Sequence, residues 1–263
     1  HCLVVGGSAM NRSSSSSTPC AQRAKREMMS NLMRIVALFF SKTGAVLVGT
    51  LFIPLYNAKM GDEAFGGVAI ILSIQAFALM VDFGAAVLVG RDIASAGNNP
   101  TQQYMIWRQA ELSLSAVYLA IFVVTLIACL VIGTSSTVML VVVGCIPLYL
   151  TTVLQNIGQT ALLARQHFIT ASVIQALGVL SRAIATVAAL NLFSNTLLTF
   201  VWTQVAMSAL HWMVIRSYCG RLLQGSDPRH SQNAPTWPAI REFLHRGRPL
   251  LVVGLAGAAV MQM

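Results

Sequence analysis

Four ionisable side chains sit inside otherwise apolar stretches of this sequence: Lys42, Asp82, Arg182 and His211. A charge in hydrocarbon costs about 3 kcal/mol or more, so each of these needs a partner, water or a ligand. Amides and hydroxyls accompany them in four sets: Gln75 with Asp82; Thr152, Gln155, Asn156 and Gln159; Gln175, Gly178 and Arg182; Gln204, Ser208 and His211. Spacings of 3, 4 and 7 within these sets put the residues of each on one face of a helix. A polar face in a membrane turns away from lipid. It either glues helices together or lines a wet cavity. Both uses stay open for Gln75, Thr152, Gln155, Asn156, Gln159, Gln175, Gln204 and Ser208. The first apolar stretch adds Ser41 and Thr43 beside Lys42.

The charges themselves are more telling. Lys42 lies about ten residues into its helix and Asp82 about eight from the end of the next, antiparallel one. At about 1.5 Å per residue both sit roughly 12–15 Å deep. They form either a structural ion pair or a substrate or proton site. Arg182 falls mid-span with no acid in the neighbouring stretches other than Asp82. It binds an anion, or it snorkels or pairs with carbonyls. His211 lies near the end of its span and reads as an interfacial histidine more readily than as a proton relay.

The elements that hold these residues follow from composition. Of 263 residues, 56% are hydrophobic and only 10% charged, far below the roughly 25% charged residues of an average soluble domain. That excludes a soluble enzyme and a disordered chain. Six apolar segments, near 32–56, 66–90, 112–133, 138–162, 170–191 and 196–216, are each long enough to cross about 30 Å of hydrocarbon. Backbone groups in lipid must satisfy one another, and no β-barrel alternation is present, so these are helices. The expected class is an all-α polytopic membrane protein.

Seventeen Lys and Arg set the orientation. Fourteen fall before the first span and in the second, fourth and sixth loops; Lys59 alone falls in the others, beside Asp62 and Glu63. This asymmetry places the N-terminus and residues 218–248 in the cytoplasm, with 57–65, 134–137 and 191–195 outside. It also explains the net charge of +9 without nucleic acid. None of the three lysines follows a glycine, so no phosphate-binding loop is present. The five cysteines form no CxxC pair, and no Asp-x-Asp pair could hold a sugar-nucleotide metal. Nothing calls for a catalytic residue, a metal or a cofactor.

The stretch from Pro54 to Ala94 resembles the polysaccharide flippases of the O-antigen translocase type, within the multidrug/oligosaccharidyl-lipid/polysaccharide exporter superfamily. The matching residues are Pro54-Leu-Tyr56, Gly61-Asp-Glu-Ala-Phe-Gly66, Asp82-Phe-Gly84 and Arg91-Asp-Ile-Ala94. In physical terms, Gly61 can end a helix in the left-handed conformation. Asp62 can cap the next helix, and Arg91 suits a helix C-terminus.

The resemblance implies two six-helix lobes facing a central cavity, of which this chain holds the N-terminal one. It implies flipping of a polyprenyl-pyrophosphate-linked oligosaccharide across the bacterial inner membrane by alternating access, driven by proton or sodium exchange. Polysaccharide polymerase and chain-length proteins are the implied partners, beside membrane lipid. Arg182 and Lys42 would hold the pyrophosphate, and Asp82 would couple the ion or neutralise Lys42. The expected organisation is a disordered or spurious leader over 1–28, a six-helix lobe over 29–217, an inter-lobe linker over 218–248 and a truncated seventh helix over 249–263. Two other readings compete: a drug or organic-cation antiporter of the same superfamily, and an inactive truncated fragment or scaffold. One acid against two bases in the spans favours an anionic substrate over a cationic drug.

Overall fold

The computed structural model describes residue 36 and residues 43–44, 47–80, 84–97, 99–223, 241–243 and 245–247, with the backbone alone at 77–80. Among the described residues seven longer helices follow one another: α1 (47–60), α2 (Asp62–Met80), α3 (Ala85–Ser95), α4 (Pro100–Ile132), α5 (Ser136–Ala164), α6 (Phe168–Leu192) and α7 (Leu197–Leu223), and residues 241–243 and 245–247 are also helical. No strand occurs among the described residues. Among them, α4 to α7 are long and apolar enough to cross a membrane. On α4, Leu119, Val124, Leu130 and Val131 are 63–81% exposed, a surface that only lipid would cover at no cost.

The chain runs up and down. The turns at Gly61, Gly133 and 193–196 gather at one end of the bundle. The α3–α4 and α5–α6 turns and the end of α7 gather at the other, with Arg91, Arg108, Arg165, Arg216 and Arg221. We call the latter the basic end. Helix α5 is the hub and packs against α2, α3, α4, α6 and α7. It runs parallel to α7, because Gly144 meets Val201 while Gly158 meets Ile215 and Cys219. Glycines let two backbones approach where lipid offers no hydrophobic drive between helices. The Cys219 thiol donates to the Gly158 carbonyl at 3.4 Å.

A Cβ at Gly158 would collide with Cγ2 of Ile215, a β-branched side chain that is 1% exposed and stiff at χ1. Gly158→Ala is therefore expected to destabilise the bundle by about 1–3 kcal/mol. Thermal unfolding of the purified protein in detergent measures it. An unchanged midpoint would mean that α7 moves away freely.

Several helix boundaries differ from the hydropathy reading. The segment expected as one span over 66–90 holds a break at Gly84, after which α3 starts at Ala85. Gly84 caps α3 with φ 63°, left-handed backbone that hydropathy does not register. Gly61, at φ 79°, donates its N–H to the Asn57 carbonyl and accepts from Phe65 N–H. It closes α1 and opens α2 in a single residue, so Gly61 rather than Asp62 takes the cap position. Helix α4 begins at Pro100, three turns before the expected residue 112. Asn99 caps it by accepting from Gln102 N–H at 3.2 Å, and proline is suited to the first turn.

The basic end closes with two further contacts. Helix α5 ends in a Schellman turn, with His167 N–H bonded to the Leu162 carbonyl and Gln166 N–H to that of Leu163. Gln166 holds the left-handed position, φ 62°, where glycine is usual. Within the stretch expected as a linker, α7 continues to Leu223, Phe243 is buried in the core, and Arg246 pairs with Asp92 at 3.0 Å. The expected leader, the truncated seventh helix and most of 224–248 lie outside the described residues.

Candidate functional site

Arg182 stands in the middle of α6, and its guanidinium crosses to α5, where Nη2 donates to Gln155 Oε1 at 3.0 Å. The Gln155 amide continues to α7, donating to the Ser208 carbonyl at 2.6 Å and lying 2.8 Å from Ser208 Oγ. Thr151 Oγ1 reaches the same hydroxyl at 2.9 Å. One amide thus bridges three helices. The Arg182 Nε is buried and has no hydrogen-bond partner among the described residues. A guanidinium offers five N–H donors, and no carboxylate among the described residues pairs with this one.

Beside it lies a cavity of about 220 Å³ between α1, α2, α6 and α7. Arg182, Gln75, Gln204, Phe52 and Tyr56 line it. Tyr56 packs edge-on against Phe200, with ring centroids 5.5 Å apart. Its hydroxyl faces Thr186 and the Arg182 charge. Thr186 donates to the Arg182 carbonyl at 2.8 Å and accepts from Gln204 Nε2 at 3.1 Å. Gln75 Nε2 donates to Thr152 Oγ1 at 3.0 Å, which ties α2 to α5. The result is a cation, an aromatic wall and two amides around a space between helices. Such a space can take an anion with polar groups attached, since charge-assisted hydrogen bonds to guanidinium are the strong ones.

The residues singled out in the sequence meet different fates. Arg182, Gln75 and Gln204 line the cavity. Thr152, Gln155, Gln159, Gln175 and Ser208 take up hydrogen bonds between helices, Gln159 donating to Gln175. Asn156 is half-buried on α5 and its carbonyl accepts from Thr160. Lys42 and Asp82 lie outside the described residues.

His211 is buried between helices. Its ring lies over Gly178, where a Cβ would strike it, and faces the Ile174 backbone.

Sequence reading missed two groups. Tyr56 and Thr186 flank Arg182, and the four-residue offset from Arg182 to Thr186 was the available signal. At the basic end, the Glu111 carboxylate is only 4% exposed and is clamped by Arg108 of its own helix and by Arg216 of α7, the latter at 3.2 Å. The Arg216 guanidinium lies 5.0 Å from the Trp212 ring centroid. The signal there was an acid three residues after an arginine.

The sequence matches no family model and no curated protein. The fold is similar to that of a MATE protein, known from a crystal structure of a mutant, with TM-score 0.59 and 15% sequence identity. The similarity covers 87% of this chain and 54% of that one, so this chain spans about half the length of the solved protein.

Proposed function

We propose that this chain forms one lobe of a two-lobed membrane transporter that carries a polyprenyl-pyrophosphate-linked oligosaccharide across a bacterial inner membrane by alternating access. The observation that carries the reading is the Arg182 guanidinium, held by Gln155 at the edge of a cavity and unpaired with any described acid. A pyrophosphate offers the oxygens such a fork binds. Phe52 and Tyr56 offer ring faces, and Gln75 and Gln204 offer amides, to groups attached to it. The oligosaccharide itself would lie between this lobe and the second. The likeness to a MATE fold over about half that protein's length supports the lobe arrangement. Lys42 would add a second cation and Asp82 the coupling group. The basic end would face the cytoplasm by the positive-inside rule.

Complementation tests this. The full-length reading frame, expressed in a strain lacking its own lipid-linked-oligosaccharide flippase, is expected to restore surface polysaccharide. It is expected to give no resistance to cationic drugs in a strain lacking drug exporters. Resistance without polysaccharide would favour the antiporter reading. In a cysteine-free background, an impermeant thiol reagent should modify a cysteine placed at Asn195 in intact cells but spare one at Gln232. The opposite pattern would invert the topology.

A further inference from the structure

A second polar recess lies at the basic end, away from Arg182. It is a cleft of about 560 Å³ between the end of α3, the first turn of α4 and the α5–α6 turn. Arg165, Gln166, His167 and Gln103 contribute its polar lining. Gln103 is 2% exposed and spends its amide on the Ile93 and Gly97 carbonyls at 3.3 and 2.5 Å, which fixes the back wall. The nearby acid is already engaged: Asp92 takes Arg246 at 3.0 Å and Arg91 at 3.9 Å. Arg165 pairs with no acid among the described residues. The turn holding it keeps Gln166 in left-handed backbone, where glycine would cost less, and the Gln166 side chain lines the cleft.

The depth of this cleft follows from α6. Its 25 residues span roughly 37 Å at about 1.5 Å each. That exceeds about 30 Å of hydrocarbon and falls within the roughly 40–45 Å that includes both headgroup layers. The α5–α6 turn therefore sits among lipid headgroups. Directly after it, Ile169, Val173 and Leu177 form a stripe on α6 that is 50–61% exposed. An ion free in water has no use for such a stripe, whereas an acyl chain does.

We infer that this cleft binds the phosphodiester headgroup of an anionic phospholipid, with one acyl chain laid along Ile169, Val173 and Leu177. Basic pockets between membrane helices are known to take such headgroups. The site is independent of the transported substrate proposed above.

Native mass spectrometry of the purified full chain in detergent, titrated with phosphatidylglycerol, phosphatidylcholine or inorganic phosphate, tests it. Phosphatidylglycerol should be retained and should raise the thermal midpoint, while phosphatidylcholine is retained at least fivefold less. Arg165→Gln should weaken phosphatidylglycerol about fivefold. Arg165→Lys should keep it, and Arg221→Gln, which lies outside the cleft lining, should not matter. Gln166→Gly puts glycine at the left-handed position, where it is the less strained residue, so the fold is kept. It should raise the lipid-free midpoint and still weaken retention. Equal retention of the two lipids, or unchanged retention in both Arg165→Gln and Gln166→Gly, would overturn the assignment. So would displacement of the lipid by inorganic phosphate at equal concentration, which would make the cleft a free-phosphate site.

Discussion

Arg182→Ala should abolish transport in the complemented strain while the protein still inserts and accumulates. The guanidinium is the cation that the described cavity presents, and truncating one partner of a buried charge-assisted contact costs about 2–5 kcal/mol. At about 1.4 kcal/mol per tenfold, that is a loss of roughly thirtyfold or more in productive binding. Arg182→Lys keeps the charge on a single nitrogen and loses the planar fork, so activity should fall only in part. The two variants also separate binding from architecture. Arg182 donates to Gln155, which bridges to Ser208, so Arg182→Ala releases one end of an interhelical bridge. Gln155→Leu breaks that bridge from the other side and leaves the cation in place. If the charge is what matters, Gln155→Leu should retain far more surface polysaccharide than Arg182→Ala at equal protein level. Wild-type polysaccharide from Arg182→Ala would leave the residue a role in packing alone.

The residues explain which parts of this molecule could be read before its fold was known. The spans were legible because hydropathy sums along the chain and lipid enforces helices. The polar stripes were legible because helical periodicity is local. The partners of those stripes were not. Whether Gln155 faces a cavity or Ser208 depends on which helix lies opposite. Glycines at 144 and 158 let α5 and α7 approach in parallel, and only that approach brings Ser208 to Gln155 and Thr151. Gly84 belongs to the Asp82-Phe-Gly84 motif, yet the break it makes in the second span is not legible there, because a positive φ leaves no mark on hydropathy. The first three turns of α4 look like loop in hydropathy because Arg108 and Glu111 depress the average. In the structure those two charges satisfy each other, and the helix continues through them.

That last contact carries the second large effect. Removing both Arg108 and Arg216 should destabilise the protein by about 3–5 kcal/mol, because it strands a buried carboxylate. Glu111 is 4% exposed at its side chain, whereas Arg108 and Arg216 are 24% and 40% exposed. The asymmetry decides the outcome. Without Glu111 the two arginines can still turn towards water or headgroups, so Glu111→Gln should cost about 1 kcal/mol, the scale of an exposed ion pair. Without the arginines the carboxylate has nowhere to go. The triple variant Arg108→Leu, Glu111→Leu, Arg216→Met removes every stranded charge and should recover most of the loss, as apolar replacement of buried ion pairs commonly does. Thermal unfolding in detergent measures all three. A double arginine variant no less stable than Glu111→Gln would show that the carboxylate does not depend on its clamp. The clamp joins α4 to α7, and α7 also packs on α5 and α6. Its loss should therefore loosen the basic end as a unit and lower transport without touching the Arg182 cavity. The impaired variant would then bind substrate with unchanged affinity and turn it over slowly.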